Sequence, residues 1–374
     1  MCPVSLSDIG LDSWFEEHAK AFCVESQSVA RVVAVDRDRL VVHNGYEELS
    51  AELLGKFFYG AERATAFPCV GDWVCLEHHD AKTASAKPFA SIHTVLPRKT
   101  LLKRKASGYD DEFQLLAANV DTALIVMACD YDFHVRKLER FLVLVNEGKV
   151  EPVLILTKTD LMHPEDIEDL LFDIEDAGIH IKTIQLSNKT GEGVDKVKAL
   201  IQPKKTYCMI GSSGVGKSSL MNQLLGSEQF ETQEVSANGE GRHTTVRRHL
   251  ILLEQGGMLV DMPGVRELAI AEVSEGIEES FEDILELALS CRFSNCGHSN
   301  EPGCAIVAAI ENDKLDIDHY DNYLKIQKES AHHKTTYPKE RRKGKNASRL
   351  AESKTRNKKQ RLTEAQLKEA KLKH

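Results

Sequence analysis

No long hydrophobic run occurs in this chain of 374 residues. The longest purely apolar stretch, 123–129, is about seven residues, far short of the ~20 that span a bilayer. No membrane partner is therefore expected. The opening segment, MCPVSLSDIGLDSWFEEHAKAF, has no basic region leading into an apolar core. A signal peptide is not expected, and a cytoplasmic location is. Internal repeats are missing too, so the length reads as two or three separate domains. Of nine cysteines, six are scattered, mostly in apolar stretches such as those of Cys129 and Cys208. In a cytoplasmic chain these read as small core residues and not as disulfides.

An apolar content of 42% with 28% charged residues is that of an ordinary soluble protein. The net charge of −10 conceals an asymmetry. Residues 334–374 carry fifteen Lys/Arg against four Glu, while the remainder carries 33 basic against 54 acidic side chains. A basic tail on an acidic body can reach RNA electrostatically, or can simply solubilise. The tail has too few apolar residues for a core and is expected to be disordered when free.

After an N-terminal extension (1–28), residues 29–98 read as a run of short strands: ARVVAVD, RLVVHN, DWVCLEHH and FASIHTVL. Gly71-Asp72 is a turn entering the third. That density suits a five-stranded β-barrel of the OB type, although strand patterns alone also fit other small β-domains. PRKTLLKRKASG is a basic, turn-rich connector, with the linker placed at 99–110. Over 111–272 strands alternate with helices, as in a parallel α/β sheet covered by helices. DTALIVMAC, EPVLILT, HIKTIQLS, TYCMIG, HLILLEQ and GMLVDMPG are the strands; HVRKLERFLVLVNEG reads as an amphipathic helix. From 273 to 333 the chain turns mostly helical.

Gly211-Ser212-Ser213-Gly214-Val215-Gly216-Lys217-Ser218 satisfies G-x-x-x-x-G-K-[ST] between a strand and a helix. Its glycines let backbone N–H groups wrap phosphates at a helix N-terminus, where anions are favoured. Lys217 is assigned to the β- and γ-phosphates and Ser218 to Mg²⁺, with Ser219 ending the nucleotide-contacting run. Downstream, Asp261-Met262-Pro263-Gly264 follows an apolar strand. Asp261 can hold Mg²⁺ through water, and the Gly264 N–H can meet a γ-phosphate. Between the two motifs lies NGEGRHTT (238–245), a switch segment in which Thr244 or Thr245 coordinates Mg²⁺ when GTP is bound. Val265 stands where many GTPases place a water-orienting glutamine. His243 is the nearest substitute for that role; the alternative is an ordinary exposed loop histidine.

Thr157-Lys158-Thr159-Asp160 closes the strand EPVLIL, where a loop can reach a nucleotide above the sheet. Asp160 would accept hydrogen bonds from guanine N1 and N2, and Lys158 would lie along the base. Adenine has an acceptor at N1 and no 2-amino group, so the carboxylate discriminates against ATP. Ser187, followed by GEG, supplies the second base-contact loop. Base loops thus precede the phosphate loop and the switches, a cyclic shift of the usual GTPase order. Relocating chain ends to surface loops permits such a shift.

Cys291-x4-Cys296-x-His298-x5-Cys304 gathers three thiolates and one imidazole. They suit one closed, tetrahedral, structural Zn²⁺ per chain. Zinc can contribute roughly 10–16 kcal/mol of apparent folding free energy to small modules.

Together with D-M-P-G-V-R-E, the AI after Cys304 and the AANVD…VEPVLILTKTDL stretch, this combination resembles the ribosome small-subunit-dependent GTPase A (RsgA) family over about 31–324. The resemblance implies a bacterial-type factor that binds the small, 30S-type ribosomal subunit and its rRNA late in maturation; a monomer is expected. It implies slow hydrolysis of GTP to GDP alone, faster hydrolysis on the subunit, and then dissociation. In that family the histidine matching His243 is implicated in hydrolysis. Thr157 stands where many GTPases carry Asn, which predicts a weaker tie to the phosphate loop. The alternative reading is a GTP-sensing, RNA-binding scaffold without significant turnover, which Val265 encourages. An ATPase is a third reading, opposed by Asp160.

Overall fold

A computed structural model describes residues 4–36, 39–55, 57, 64–79, 89–105, 113–130, 133–227, 230, 248–262, 275–293, 295–298 and 301–330. Near the N-terminus, α1 (Ser13–Phe22) starts where the Asp12 carboxylate accepts from the Phe15 N–H at 3.2 Å. Its C-cap, Cys23, lies against the barrel and is joined to Cys75 in a disulfide, the Cα atoms 5.4 Å apart. This corrects the expectation of unpaired core thiols. The two cysteines are 52 residues apart, and only the docking of α1 on the barrel makes them neighbours.

The barrel consists of β1 (Ser28–Asp36), β2 (Arg39–His43), β3 (Glu48–Leu53), β4 (Trp73–His79) and β5 (Phe89–Val95). Strand order is 1-2-3-5-4, closed by β1 against β4, with β3 parallel to β5. This is the Greek-key path of an OB barrel. Its inside is lined by Ala30, Val32, Val42, Leu49, Leu76 and Ile92. In β3, Glu48, Ser50 and Glu52 face water while Leu49 and Ala51 are buried, the alternation of a half-buried strand. The connector contains strand β6 (Leu101–Lys105), which pairs antiparallel with β7 (Phe113–Ala118) beyond it.

Six strands build the central sheet: β8 (Thr122–Ala128), β9 (Glu151–Thr157), β10 (Lys182–Gln185), β11 (Thr206–Ile210), β12 (Arg248–Leu252) and β13 (Met258–Asp261). They lie in the order 10-9-8-11-13-12, parallel except for β12. Every residue of β8 and β11 is buried, as expected of strands covered on both faces by helices. The covering helices are α2 (Val135–Glu147), α3 (Pro164–Asp176), α4 (Val194–Leu200) and α5 (Lys217–Leu225). β12 also pairs antiparallel with β1, Ala34 opposite His249, so barrel and central sheet are continuous.

Arg31 secures that junction. Its guanidinium donates to the carbonyls of Ile9, Gly71 and Asn119 and to Thr206 Oγ1, the last at 2.9 Å. The side chain is 2% exposed and lies over the Trp73 ring. Burial lowers its pKa to about 10, so it stays charged near neutrality.

The C-terminal region contains α6 (Glu275–Ser280), α7 (Glu282–Leu289), α8 (Ala305–Glu311) and a further helix, α9, over 317–330. Phe281, Ile284, Ile306, Tyr323 and Ile326 form its core, which takes in Val143 of α2. The helical module therefore rests on the central domain through α2. Among the described residues no helix is long and apolar enough to cross a membrane.

Candidate functional site

Parallel strands direct their carboxyl ends to one edge of the sheet, where ligands of open α/β folds bind. The segments after β8, β9, β10, β11 and β13 emerge at that edge. They carry Asp130, Thr157–Asp160, Ser187, Gly211–Lys217 and Asp261. Four of these five segments were singled out from sequence; Asp130 was not.

Gly211 follows β11 with φ +148°, and a Cβ there would lie 2.1 Å from the Val126 carbonyl oxygen. Only glycine lets the loop leave the sheet so close to β8. Ser212, Ser213, Gly214 and Val215 complete the turn, and Gly216 precedes the first residue of α5. Ser218 and Ser219 lie in the first turn of that helix. Lys217 folds back over the loop, donating from Nζ to the carbonyls of Gly211 (2.8 Å) and Ser212. Asp261, the last residue of β13, is partly buried. Burial lifts its pKa to about 6 against the opposing pull of the Lys217 ammonium. A divalent cation beside Asp261 would restore the charged form by direct attraction.

On the base side, the Thr157 hydroxyl is fully buried and donates to the Val215 carbonyl at 2.6 Å, with Met127 O at 3.2 Å. A direct tie from Thr157 to the phosphate loop is therefore present. Lys158 adopts φ +60° and its Nζ donates to Asp130 Oδ2 at 2.8 Å. Ser187 Oγ donates to Asp160 Oδ1 at 2.6 Å and accepts from the N–H groups of Lys189 and Thr190. The two base loops are also joined by Thr159 N–H to Leu186 O at 3.4 Å. Asp160 is thus oriented by the second loop while remaining exposed. Asn188 and Gln223, which link this loop to the phosphate loop and to α5, carried no signal in the sequence. His243, Thr244, Thr245 and Gly264 lie outside the described residues.

Cys291, Cys296, His298 and Cys304 come together with all four ligand atoms within 4.8 Å of one another. Cys291 Sγ is 3.9 Å from Cys304 Sγ, and His298 Nδ1 is 3.5 Å and 3.6 Å from those two sulfurs. Zn–S bonds of about 2.3 Å and Zn–N bonds of about 2.0 Å place tetrahedral ligands roughly 3.5–3.8 Å apart. The donor set fits zinc. Cys304 is also the N-cap of α8, its sulfur accepting from the Val307 N–H, while Cys291 Sγ accepts from the Ala305 N–H. On Cys291 desolvation opposes the thiolate, but backbone and side-chain hydrogen bonds outweigh it and lower the thiol pKa.

The RsgA GTPase family model matches residues 95–271. An ABC transporter model matches 194–368, which takes in the phosphate loop but neither Thr157–Asp160 nor Ser187. The Small ribosomal subunit biogenesis GTPase RsgA of Opitutus terrae is 36% identical over 88% of this chain and 90% of its own length. The crystal structure of YjeQ from Thermotoga maritima is 27% identical, with a TM-score of 0.59 over 82% of this chain and 99% of that one. YloQ, described as a circularly permuted GTPase, shares the fold at 23% identity and a TM-score of 0.55, over 82% of this chain and 96% of its own. Base loops on β9 and β10 ahead of the phosphate loop on β11 are the same permutation, and with its 36% identity to the Opitutus protein this chain, a GTP hydrolase, belongs to the RsgA GTPase family.

Proposed function

We propose that this protein drives a late step in the biogenesis of the small, 30S-type ribosomal subunit, binding its rRNA and hydrolysing GTP to GDP when seated there. The observation that carries the reading is the base side of the site: Ser187 orients Asp160, and Thr157 fastens the same loop to the phosphate cradle. That arrangement selects guanine. The name of the Opitutus relative supports the choice of partner. In this reading Ser218 and Asp261 hold Mg²⁺, joined by Thr244 or Thr245, and Lys217 neutralises the phosphates. His243 positions the attacking water in place of the glutamine that Val265 replaces. One structural Zn²⁺ on Cys291, Cys296, His298 and Cys304 keeps the C-terminal helices folded. The protein acts as a monomer in the cytoplasm, with the barrel, the zinc module and the basic tail as its RNA-facing parts.

Single-turnover GTP hydrolysis with and without purified small subunits, at low salt with Mg²⁺, tests the proposal. Stimulation in the wild type that is lost in His243→Ala is expected. Turnover indifferent to the subunit would overturn the partner, and equal rates in the two proteins would remove His243 from the mechanism.

A further inference from the structure

We propose that Asn188 is a positioning residue that ties the second base loop to the phosphate loop and aims the phosphate-binding N–H groups. The inference rests on the nucleotide reading above and extends it to a residue outside the motifs. Asn188 Nδ2 donates to the Gly216 carbonyl at 3.0 Å, and its own backbone carbonyl accepts from Gln223 Nε2 of α5 at 2.6 Å. One residue is therefore held to both the loop and the helix that follows it. Gly216 has φ +95°, and a Cβ on it would stand 2.6 Å from Asn188 Nδ2. The amide occupies the space a side chain would need. Beside it, Thr157 Oγ1 holds the preceding carbonyl, that of Val215.

The consequence follows from peptide geometry. In a planar trans peptide the C=O and the next residue's N–H point in opposite directions. Holding the Val215 carbonyl back toward Thr157 turns the Gly216 N–H forward. The Gly216 carbonyl, held back by Asn188 and by the first helical bond from the Leu220 N–H at 3.0 Å, does the same for the Lys217 N–H. Such N–H groups at a helix N-terminus are the donors that cradle phosphates. Thr157 has one hydroxyl proton and gives it to Val215; Asn188 supplies a second donor from the neighbouring loop. The phosphate cradle is thereby shaped by side chains whose own loops meet the base.

Inorganic tripolyphosphate carries no base, so it reads the cradle alone. With the zinc-loaded full chain and Mg²⁺, Asn188→Ala is expected to weaken tripolyphosphate binding roughly fivefold, the loss of about one buried hydrogen bond. Asn188→Asp should weaken it at least as much, because a carboxylate cannot donate to the Gly216 carbonyl. In the wild type, saturating tripolyphosphate should slow amide hydrogen exchange over 187–190, a readout that stands even where the variants fail to fold. Tripolyphosphate binding that is unchanged in Asn188→Ala while GDP binding weakens would overturn the inference, as would absent protection of 187–190. Failure of the wild type to bind GDP would overturn the nucleotide reading itself, and this inference with it.

Discussion

His319 Nδ1 stands 2.7 Å from Oε1 of Glu139, two side chains 180 residues apart that meet where the C-terminal helices rest on α2. Glu139 is 1% exposed and also accepts from Asn322 Nδ2 at 2.5 Å and from Arg136, which in turn pairs with Asp316. On the other side of the ring, His319 Nε2 lies 3.3 Å from Asp283. Burial alone would lower the His319 pKa, but the two carboxylates outweigh it and raise it to about 9. A histidine with a raised folded pKa stabilises fully below its unfolded value of about 6.5, and that stability is lost as pH rises through about 9. Thermal unfolding of the zinc-loaded chain should therefore show the docked module weakening across this window. His319→Gln should flatten the dependence and cost on the order of 2 kcal/mol near neutrality, the scale of a hydrogen bond to a charged group.

Zinc removal should separate the two halves of the molecule. The core around Phe281, Ile306 and Tyr323 is distinct from the core behind the phosphate loop, which centres on Leu124, Met209 and Leu220. Apparent zinc-binding energies of roughly 10–16 kcal/mol match or exceed the whole stability of an ordinary domain. Cys304→Ser, or a strong chelator, should thus abolish hydrogen-exchange protection in α7 and α8 while GDP binding persists. Protection that survives in a zinc-free chain would show that packing on α2 alone folds the module.

The chemistry-bearing motifs were legible because their requirements are local. GSSGVGKS needs a glycine turn between strand and helix, and the buried strand before TKTD placed that loop at the sheet edge. The Cys/His spacing likewise encodes a tetrahedron within one short segment. Contacts made across the chain left no such trace. Glu139 sits in HVRKLERFLVLVNEG, where a charge in an amphipathic helix reads as solvated, yet it is the buried anchor of another module. Strand β6 lies within the connector of the sequence reading because Lys103, Arg104 and Lys105 obscure its alternation. Asn188 and the Cys23–Cys75 pair acquire meaning only from neighbours 28 and 52 residues away. The Asp12 cap of α1 could have been found from the D-S-W-F-E order.

Arg31→Met should be among the most damaging single changes outside the nucleotide site. Methionine fills part of the volume but leaves the carbonyls of Ile9 and Asn119 without the guanidinium, while the Gly71 carbonyl keeps the Asn119 amide. Leaving a buried carbonyl without its donor typically costs about 1–3 kcal/mol. Chemical denaturation should report a loss of that order. Because these contacts join the N-terminal segment, the barrel and the central sheet, exchange protection should fall along β1 and β12 together. A loss confined to the barrel would show that the β1–β12 pairing holds without Arg31.

Asp261→Asn should stabilise the nucleotide-free protein while disabling its metal response. Burial raises the Asp261 pKa to about 6, so between roughly pH 4 and 6 the folded state holds a proton that the unfolded state has released. The stability associated with that neutral carboxyl is present at low pH and is lost as pH rises through about 6. An amide is neutral throughout, so the variant should gain roughly 1–3 kcal/mol over the wild type near neutrality, and little near pH 4. Mg²⁺ reverses the balance, since only the carboxylate is drawn toward the cation. In a Mg²⁺ titration with a GTP analogue bound, the wild type should gain thermal stability and the variant should not. A variant that gains no stability near neutrality without nucleotide would show that Lys217 already compensates the buried charge.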